Sequence, residues 1–465
     1  MSKTRYQAIV IGAGPGGYPC GIRLAQLGID TLVVEKESWG GVCLNVGCIP
    51  SKALISAAKR YQSLRKDEMG ISVAGDITID MGKLQDWKQS VVGKLTGGVQ
   101  TLLKGNGADR LIGTAKLVGP NKVAVTNGDG ETVYEADHIV VATGSRPIEI
   151  PGFSFSDPRI IDSTGALALS EIPKRLVVIG GGYIGLELGG VFAKLGTKVT
   201  VVEMMDSLLP GFDKDAIKLV SRQLKKDGAK ALLKTKALGW EATDDGVRVS
   251  VETPKGPQQL DADYVLVTVG RRPNTEGLGL AEVGVAMDGP FIGVDGQRRT
   301  NVPSIFAIGD VAGQPMLAHK ATHEGEVVAE VIAGHNVQYD ARQVPAVVFT
   351  DPEVAVAGKM EHEAREAGEV KVGKVPYAAV GRALTTGETT GFFKVVLNAS
   401  DNAILGVTVC GPHASDLISE ASLAIEMDAE ALDLALTIHP HPTLGEGLME
   451  ATKAALGEAV HVLNR

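Results

Sequence analysis

The fold is decided near the start of the chain by the sequence AIVIGAGPGG, residues 8–17. Its apolar half predicts a buried strand, and its glycines predict a loop that binds phosphate. Gly12 permits a tight turn, Gly14 lets the backbone approach a pyrophosphate, and Gly17 lets the next helix pack against the strand. The helix N-terminus adds unpaired amides and the positive end of its dipole. The stretch therefore predicts a dinucleotide-binding loop.

The sequence that follows this loop supports the same interpretation. Gly16 to Leu27 has helical composition, and the next apolar run, Thr31 to Glu35, predicts a second strand. Glu35 closes this strand, where a carboxylate can accept a ribose hydroxyl. A lone glycine fingerprint is weak evidence, but one in strand–loop–helix–strand order with a terminal acid is specific. We therefore predict a complete βαβ nucleotide unit.

A second unit of the same kind follows later in the chain. Arg175 to Gly180 predicts a strand, Gly185 to Leu195 a helix, and Lys198 to Glu203 another strand. The acid that ends the second strand would hold both ribose hydroxyls and repel a 2′-phosphate, so the sequence favours NAD over NADP. The residues expected to contact this nucleotide are Gly180, Gly182, Gly185 and Glu203.

Later segments predict further strands and a change of architecture. His138 to Gly144 and Tyr264 to Gly270 each end a domain-sized block in glycine, and Ser304 to Asp310 runs into a Gly-Asp turn. From about Gln343 strands and helices alternate, which predicts a separate α+β domain. The strands expected there are Phe392–Val396 and Ile404–Val409, and the expected helices are Asp416–Met427 and Leu444–Val462.

Two cysteines lie in the sequence GGVCLNVGCIPSK, residues 40–52, just after the first nucleotide unit. If Cys48 opens a helix, Pro50 falls in the first turn, where proline is tolerated. The helix N-terminus would then lower the pKa of a nearby thiol and stabilise its thiolate. Lys52 follows Cys48 by four residues and shares its helical face. Cys43 and Cys48 therefore predict a dithiol that exchanges electrons with a bound cofactor.

The chain's four cysteines also allow a structural interpretation. Buried free cysteine is common, but the glycines and the lysine around Cys43 and Cys48 favour a redox pair. A zinc site is not expected, because no second pair of cysteines has ligand spacing. Cys20 lies in the predicted first helix and Cys410 ends an apolar strand, so both are expected in the core.

Two histidines near the C-terminus are candidates for acid–base chemistry. Pro442 fixes the backbone after His441, and a helix beginning near Thr443 would bring Glu446 back toward the imidazole. A carboxylate that orients a histidine raises its basicity, so the pair is a candidate general base. Considered alone, His441 could equally be a residue of a turn with no catalytic role. His439 is not expected to react itself and at most contacts the residues that do.

Composition and charge exclude several classes of function. The chain has 465 residues, too many for one hydrophobic core, and 44% of them are apolar. Its net charge of -9 argues against general nucleic-acid binding, which needs a basic surface. No run of about 18 or more uncharged apolar residues is present, so no transmembrane helix is expected. Met1 to Arg5 leads straight into a strand pattern and cysteines are few, which favours a cytoplasmic protein whose disulfide is catalytic.

Taken together, the two glycine loops, the cysteine segment and the histidine segment resemble the flavin disulfide reductases, the class I pyridine nucleotide-disulfide oxidoreductases. The cysteine segment is similar to that of the lipoamide dehydrogenase branch, with Val42 where threonine is usual. The resemblance covers nearly the whole chain. It implies an α/β fold with two Rossmann-like dinucleotide-binding domains and a C-terminal α+β dimerisation domain. The implied limits are 1–147 for the FAD-binding domain, 148–270 for the NAD-binding domain, 271–342 for a central domain completing the FAD site and 343–465 for the interface domain.

The resemblance also implies roles for individual residues. Cys48 would contact the flavin, and Cys43 would exchange with the disulfide substrate. Lys52 would lie near the flavin ring and pair with Glu187. The other cofactor contacts that it implies are Gly144, Gly270, Asp310 on the ribityl chain, and Met316, Ala318 and His319 beside the ring.

The activity implied by the resemblance is the dehydrogenation of dihydrolipoamide. Dihydrolipoamide would reduce a Cys43–Cys48 disulfide, and electrons would pass through FAD to NAD+, with no metal involved. The implied protein is a homodimer, because His441 and Glu446 would reach the cysteine pair of the other subunit. Lipoyl domains and the E2 core of 2-oxoacid dehydrogenase or glycine cleavage complexes would be its partners. Another NAD(P)H-dependent disulfide reductase and a purely docking role are the alternatives.

Overall fold

The apolar run at residues 8–11 lies inside the first sheet of this computed structural model, which describes residues 3–65 and 69–464. The sheet has seven strands, and the first strand pairs in parallel with neighbours on both sides, as a βαβ nucleotide unit requires. The elements of this block are β1 (Arg5–Ile11), α1 (Gly17–Gln26), β2 (Thr31–Glu35), α2 (Gly41–Val46), α3 (Cys48–Leu64), α4 (Met81–Gly105), β3 (Asp109–Ile112), β4 (Thr114–Gly119), β5 (Lys122–Asn127), β6 (Gly130–Val141) and β7 (Ser145–Pro147).

The second block repeats this plan around a parallel sheet of five strands. A separate antiparallel sheet of three strands is inserted before the last parallel strand. The elements are β8 (Ile160–Ile161), α5 (Ser163–Leu167), β9 (Arg175–Ile179), α6 (Tyr183–Lys194), β10 (Lys198–Val202), α7 (Lys214–Lys226), β11 (Lys230–Leu232), β12 (Lys236–Thr243), β13 (Gly246–Thr253), β14 (Gly256–Ala262) and β15 (Tyr264–Val267). The parallel sheet has the order β11-β10-β9-β15-β8.

The third block does not form a layer of its own. Its elements are β16 (Arg271–Pro273), β17 (Met287–Asp288), β18 (Phe291–Ile292), β19 (Ile305–Ala307), a short 3-10 turn (Gly309–Val311) and α8 (Ala318–Ile332). β19 pairs in parallel with β6 and so joins the first sheet, and α8 packs on α1. β16 pairs with β7 in a separate antiparallel sheet of two strands, which also links this segment to the first block. The segment therefore returns to the first nucleotide unit and completes it.

The C-terminal block is an antiparallel sheet of five strands with helices packed on it. Its elements are β20 (Ala346–Val348), β21 (Glu353–Gly358), α9 (Glu361–Ala367), β22 (Val370–Pro376), a 3-10 turn (Tyr377–Ala379), α10 (Gly381–Thr386), β23 (Phe392–Asn398), β24 (Ile404–Gly411), α11 (Ala414–Glu426), α12 (Ala431–Leu436) and α13 (Glu446–Leu456). The α+β character predicted from the sequence is confirmed. The sheet core contains Tyr377 stacked on Phe393, with ring centroids 4.5 Å apart.

Several predicted element ends were wrong by a few residues. The last helix was expected to begin near Thr443 and to continue to Val462. It begins instead at Glu446 and ends at Leu456, where Gly457 takes a left-handed conformation that stops the helix. The helix of the second nucleotide unit begins at Tyr183, before the predicted Gly185.

One helical run, Gly41–Leu64, is long and apolar enough to cross a membrane by length and composition alone. Core helices of soluble proteins pass the same test, so this is weak evidence. The run contains the two redox-candidate cysteines, it is interrupted at Gly47 between α2 and α3, and α3 packs against α4 and α6.

Candidate active site

The cysteine segment packs directly against the first glycine loop. Gly41 has a φ of +59°, and a Cβ at this position would lie 2.6 Å from Gly14 Cα. Only glycine allows this approach. Cys48 is the first residue of α3, the position considered from the sequence, and Cys43 lies within α2, a short helix that the sequence analysis did not predict. The segment therefore brings both thiols to the mouth of the nucleotide loop.

The pKa values of the two thiols are shifted in opposite directions. The hydrogen bond between Cys43 and Cys48 lowers the pKa of Cys48 to about 7 although burial opposes this, and the Lys52 ammonium contributes in the same direction. The same hydrogen bond, followed by burial, raises the pKa of Cys43 well above its usual value. In the dithiol form Cys48 is thus the thiolate, and Cys43 is the thiol that donates to it. Cys48 is exposed in the single chain, whereas Cys43 is half-buried.

Lys52 is held in place by a buried carboxylate on α6. Lys52 Nζ donates to Glu187 Oε2 at 2.8 Å, and the Glu187 side chain is only 4% exposed. Ser51 Oγ donates to the same oxygen at 3.3 Å, and the Phe349 N–H donates to Glu187 Oε1 at 2.9 Å. The Lys52 ammonium also lies 4.4 Å from the centre of the Phe349 ring. One carboxylate therefore connects the cysteine helix, the second nucleotide unit and the C-terminal block.

The acid at the end of β2 clamps the first glycine loop. Glu35 Oε2 accepts the Ala13 N–H at 2.7 Å, and Oε1 accepts the Glu37 N–H at 2.9 Å. We expected this carboxylate to accept ribose hydroxyls, and the structure adds a second task, which is to fix the loop. A carboxylate offers about four lone-pair sites, so the amides leave acceptor capacity for a ribose.

The second nucleotide unit repeats this clamp. Glu203 Oε2 accepts the Gly181 N–H at 2.6 Å, and Oε1 accepts the Met205 N–H at 2.7 Å. Gly180 and Gly185 are closely packed, because a Cβ at Gly180 would lie 2.5 Å from Thr268 O and one at Gly185 would lie 2.4 Å from Gly180 O.

The space in front of each helix fits a pyrophosphate. A Cβ at Gly182 would meet nothing within 4 Å, and one at Gly14 would meet only Gly41 Cα at 3.9 Å. Gly17, in contrast, is closely packed, since its Cβ would lie 1.8 Å from Gly12 O. Each loop therefore has one glycine that is closely packed against the protein and one glycine whose Cα faces open space. Binding of a dinucleotide by the backbone requires this arrangement.

A polar relay joins the strand ends of the two nucleotide units. Ser145, which is buried directly after Gly144, donates from Oγ to Asp310 Oδ2. Arg271, directly after Gly270, donates from Nε to Ser145 Oγ at 2.8 Å and from Nη2 to Ser145 O at 2.6 Å. Sequence reasoning identified the glycines and the aspartate but missed the serine and the arginine. The signal was the repeated pattern GSRP and GRRP, at 144–147 and 270–273, because these segments form the paired strands β7 and β16.

The other predicted flavin-lining residues lie just before α8 and in its first turn. Met316 and Ala318 are half-buried, and α8 begins at Ala318. His319 is exposed, and its Nε2 lies 2.7 Å from Pro345 O at the start of the C-terminal block.

The histidine pair is present but lies at the surface of the single chain. His441 Nδ1 lies 2.9 Å from Glu446 Oε1, and the His441 side chain is 78% exposed. Burial of the Glu446 carboxyl acts to raise its pKa, but the hydrogen bonds from His441 and from the Thr443 N–H outweigh this effect and lower the pKa. The His439 side chain is only 5% exposed, and its two ring nitrogens lie 2.8 Å from Thr437 O and from Glu420 Oε1. Within residues 3–65 and 69–464, no hydrogen bond joins His441 to either thiol of its own chain.

The C-terminal block that contains this histidine also exposes large apolar side chains. Large side chains of α12, of the segment after it and of the C-terminal tail lie open to solvent, which is unusual unless another surface covers them. They include Leu436 at 74% exposed, Ile438 at 95%, Val460 at 75% and Leu463 at 82%.

Comparisons with known proteins identify the family. Residues 6–325 match the family described as pyridine nucleotide-disulphide oxidoreductase, and residues 344–452 match its dimerisation domain. The dihydrolipoyl dehydrogenase of Geobacillus stearothermophilus is 53% identical over 462 residues, with 99% of this chain and 98% of that protein covered. That of Bacillus subtilis (strain 168) is 52% identical, with 98% and 97% covered.

Solved structures support the same assignment. The crystal structure of LpdA from Mycobacterium tuberculosis matches with a TM-score of 0.89 and 28% identity, over 96% of this chain and 99% of that one. The match to the dimerisation domain supports a homodimer. The chain belongs to the pyridine nucleotide-disulphide oxidoreductase family, whose members use FAD and NAD(H), and within that family it is a dihydrolipoyl dehydrogenase.

Proposed function

We propose that this chain oxidises dihydrolipoamide carried on lipoyl proteins, with Cys43 and Cys48 as the redox pair and NAD+ as the final acceptor. The observation that carries the proposal is the asymmetric dithiol. Cys48 has a pKa lowered to about 7 and opens α3 beside the first glycine loop, while Cys43 keeps its proton. The dihydrolipoyl dehydrogenase relatives, which match along the whole chain, support the same substrate.

The proposed reaction is a thiol-disulfide exchange between dihydrolipoamide and the Cys43–Cys48 disulfide. A thiolate of dihydrolipoamide attacks Cys43 in the Cys43–Cys48 disulfide and releases Cys48 as a thiolate. The second substrate thiol then displaces Cys43, so lipoamide leaves as a disulfide and the enzyme keeps two electrons in its dithiol. FAD, when bound, supplies the two-electron chemistry between this dithiol and NAD+. Lys52 stabilises the thiolate, and Glu187 holds the lysine in position.

The substrate thiols must lose protons, and we propose His441 of the other subunit as their acceptor. Its Nδ1 is held by Glu446, which orients the ring and leaves Nε2 free to act as the base. The exposure of His441 in the single chain and the exposed apolar side chains of the same block support a site shared between subunits.

We propose the predicted limits 1–147, 148–270, 271–342 and 343–465 as the domain limits of the chain. We propose that NAD selectivity rests on Glu203, since a carboxylate at this place repels a 2′-phosphate. The residues proposed for the FAD site are Gly12, Gly14, Gly17, Glu35, Lys52 with its partner Glu187, Gly144, Asp310, Met316, Ala318 and His319, and those for NAD are Gly180, Gly182, Gly185, Glu203 and Gly270.

The proposed partners are lipoyl domains and the E2 core of 2-oxoacid dehydrogenase complexes, glycine cleavage complexes, or both. This part of the proposal is supported by the relatives' activity, since a dihydrolipoyl group has to be presented to Cys43. The proposed location is the cytoplasm.

Subunit complementation tests the proposed base. His441→Gln should slow dihydrolipoamide oxidation about a hundredfold or more, while electron transfer from NADH to an artificial acceptor should continue, because that step needs no base at the thiols. His362→Gln, at an exposed position of α9 in the same block, is the matched control and should behave as wild type.

Co-expression of His441→Gln and Cys43→Ser subunits with two different tags yields heterodimers of two inactive chains. One site then combines intact cysteines with an intact histidine from the other chain, so purified heterodimers should regain up to one working site. Heterodimers that form and stay inactive would show that His441 does not serve the partner's thiols.

A further inference from the structure

The most deeply buried acid of the third block lies outside the site described above. Glu324, on α8, is 0% exposed. Its Oε2 accepts the Gly309 N–H at 2.6 Å. Its Oε1 lies 3.2 Å from Arg298 Nη2 and 3.1 Å from Lys320 Nζ, at ion-pair distances without hydrogen-bond angles. The Glu324 side chain is therefore held between a backbone amide and two basic side chains.

The amide that Glu324 holds belongs to the turn that presents Asp310. Gly309 has a φ of +73° and directly precedes Asp310, the acid predicted to bind the ribityl chain. Lys320 Nζ donates to Gly313 O at 3.0 Å, beyond the other end of this turn. Glu324 and Lys320, one helical turn apart on α8, thus fix both ends of the loop 309–313 while they pair with each other.

The same helix also holds the first glycine loop. Thr322 Oγ1 donates to Pro15 O at 2.8 Å. Gly325 lies so close to this loop that a Cβ there would be 2.5 Å from Gly16 O. α8 is therefore the common support of two loops, the pyrophosphate loop of β1 and the Asp310 loop after β19. The distance between these two loops therefore depends on the α8 side chains that bind each of them.

Stability alone gives little reason for a charge at this position. A buried ion pair can often be replaced by apolar residues without loss of stability, because desolvation offsets the Coulomb attraction. The Arg298 side chain is only 14% exposed, has its guanidinium 4.0 Å from the Tyr339 ring centre, and belongs to a residue with a φ of +59°. The site therefore contains two buried charged side chains, Glu324 and Lys320, with the mostly buried Arg298 and its strained backbone beside them.

We propose that Glu324 is a positioning residue for the flavin. It sets the Asp310 turn against α8, and Lys320 and Arg298 hold its other oxygen at ion-pair distance. The inference rests on the FAD site of the proposed function, and it adds a residue that does not itself touch the cofactor. Neutralising the carboxylate would leave the Gly309 N–H with a weaker acceptor and would turn an amide NH2 toward two cations.

The test compares three variants of the full-length dimer. In Glu324→Gln the FAD dissociation constant should rise tenfold or more. The rise in unfolding temperature that FAD confers on the apoprotein should shrink, and KM for dihydrolipoamide should stay close to wild type in the flavin-loaded fraction. Glu326→Gln, an exposed acid two residues away on α8, is the matched control and should retain FAD as wild type does.

Lys320→Met supplies an independent measurement if Glu324→Gln does not fold. It removes the contact with Gly313 O but leaves Glu324 paired with Gly309 and Arg298, and it should weaken FAD binding several-fold. Wild-type FAD affinity in either folded variant would overturn the inference, as would a loss of stability that is equal in apoprotein and holoprotein. A wild-type protein that binds FAD but does not oxidise dihydrolipoamide would instead contradict the proposed function.

Discussion

At the scale of residues, two identical side chains differ in acidity because of where each one lies. Cys48 opens α3 and has the Lys52 ammonium nearby, whereas Cys43 lies inside α2 and is half-buried. Once Cys43 donates its S–H, Cys48 gains a hydrogen bond only in its charged form, which lowers its pKa to about 7. The thiolate should therefore be present above this pH and be lost as the pH falls below it.

Replacing Cys43 with alanine tests this asymmetry. The variant removes the donor, so the pKa of Cys48 should rise from about 7 toward the ordinary thiol value. The measurement is the rate of iodoacetamide alkylation of the reduced protein as a function of pH. Burial raises the pKa of Cys20 and of Cys410, so neither should contribute. An unchanged midpoint in Cys43→Ala would show that the hydrogen bond is not the main cause.

At the scale of elements, different glycines of each nucleotide unit serve the packing of the fold and the binding of the nucleotide. In the second unit Gly180 and Gly185 are closely packed, and Gly182 faces open space before α6. The fold therefore requires Gly180 and Gly185, while Gly182 matters to the ligand. The clamps by Glu35 and Glu203 fix the two loops alike, with the amide of the second loop residue donating in each case.

Gly182→Ala should weaken NAD+ binding without lowering the stability of the protein. The added Cβ meets no protein atom within 4 Å, so the unfolding temperature should stay near wild type. The methyl group would occupy the space of the pyrophosphate, and NAD+ affinity should fall about tenfold or more, a loss of about 1.4 kcal/mol. Gly190→Ala, on the same helix with its nearest contact at 3.9 Å, should leave NAD+ affinity unchanged. Wild-type NAD+ affinity in Gly182→Ala would contradict the assignment of this loop.

At the scale of the whole molecule, a buried lysine fastens the C-terminal block to the second nucleotide unit. Lys394 on β23 is 5% exposed at its side chain, and its Nζ lies 2.8 Å from Asp213, 2.9 Å from Glu361 and 3.3 Å from Asp215. Asp213 also caps α7 through its other oxygen. Lys374 reaches Asp215 at 2.7 Å from β22. The orientation of the two blocks thus depends on shared charges.

Lys394→Met should destabilise the protein by on the order of 3 kcal/mol, because it leaves the buried Asp213 without its cation, while Glu361 keeps Arg365 and Asp215 keeps Lys374. Lys371→Met, at an exposed lysine on β22 that donates to Asn402, is the control and should change stability by less than about 0.5 kcal/mol. Urea unfolding of both apoproteins measures the difference. Equal midpoints would contradict the role of Lys394.

The same network should be sensitive to acid. The hydrogen bond from Lys374 lowers the pKa of Asp215 to about 2, against the effect of burial, and Lys394 adds to the shift. A carboxyl group whose folded pKa is lowered stabilises the protein above its unfolded pKa, which is about 4. The contribution of Asp215 should therefore be lost as the pH falls from about 4 to about 2. In Asp215→Asn the acid dependence of unfolding over this range should be weaker than in wild type.

The sequence by itself determined the features whose residues lie close together along the chain. The two glycine loops with Glu35 and Glu203, and the cysteine pair at the start of a helix, could be predicted because turn geometry, helix dipoles and phosphate binding act over a few residues. The pairing of Glu187 with Lys52 was implied only by resemblance to a family.

Tertiary structure alone decided the contacts between distant segments. β19 joins the first sheet, Ser145 links Arg271 to Asp310, and Glu324 supports the Asp310 turn. No local pattern specifies such a partner, because a buried polar group can be satisfied by any residue that the packing of helices and sheets brings within hydrogen-bond distance.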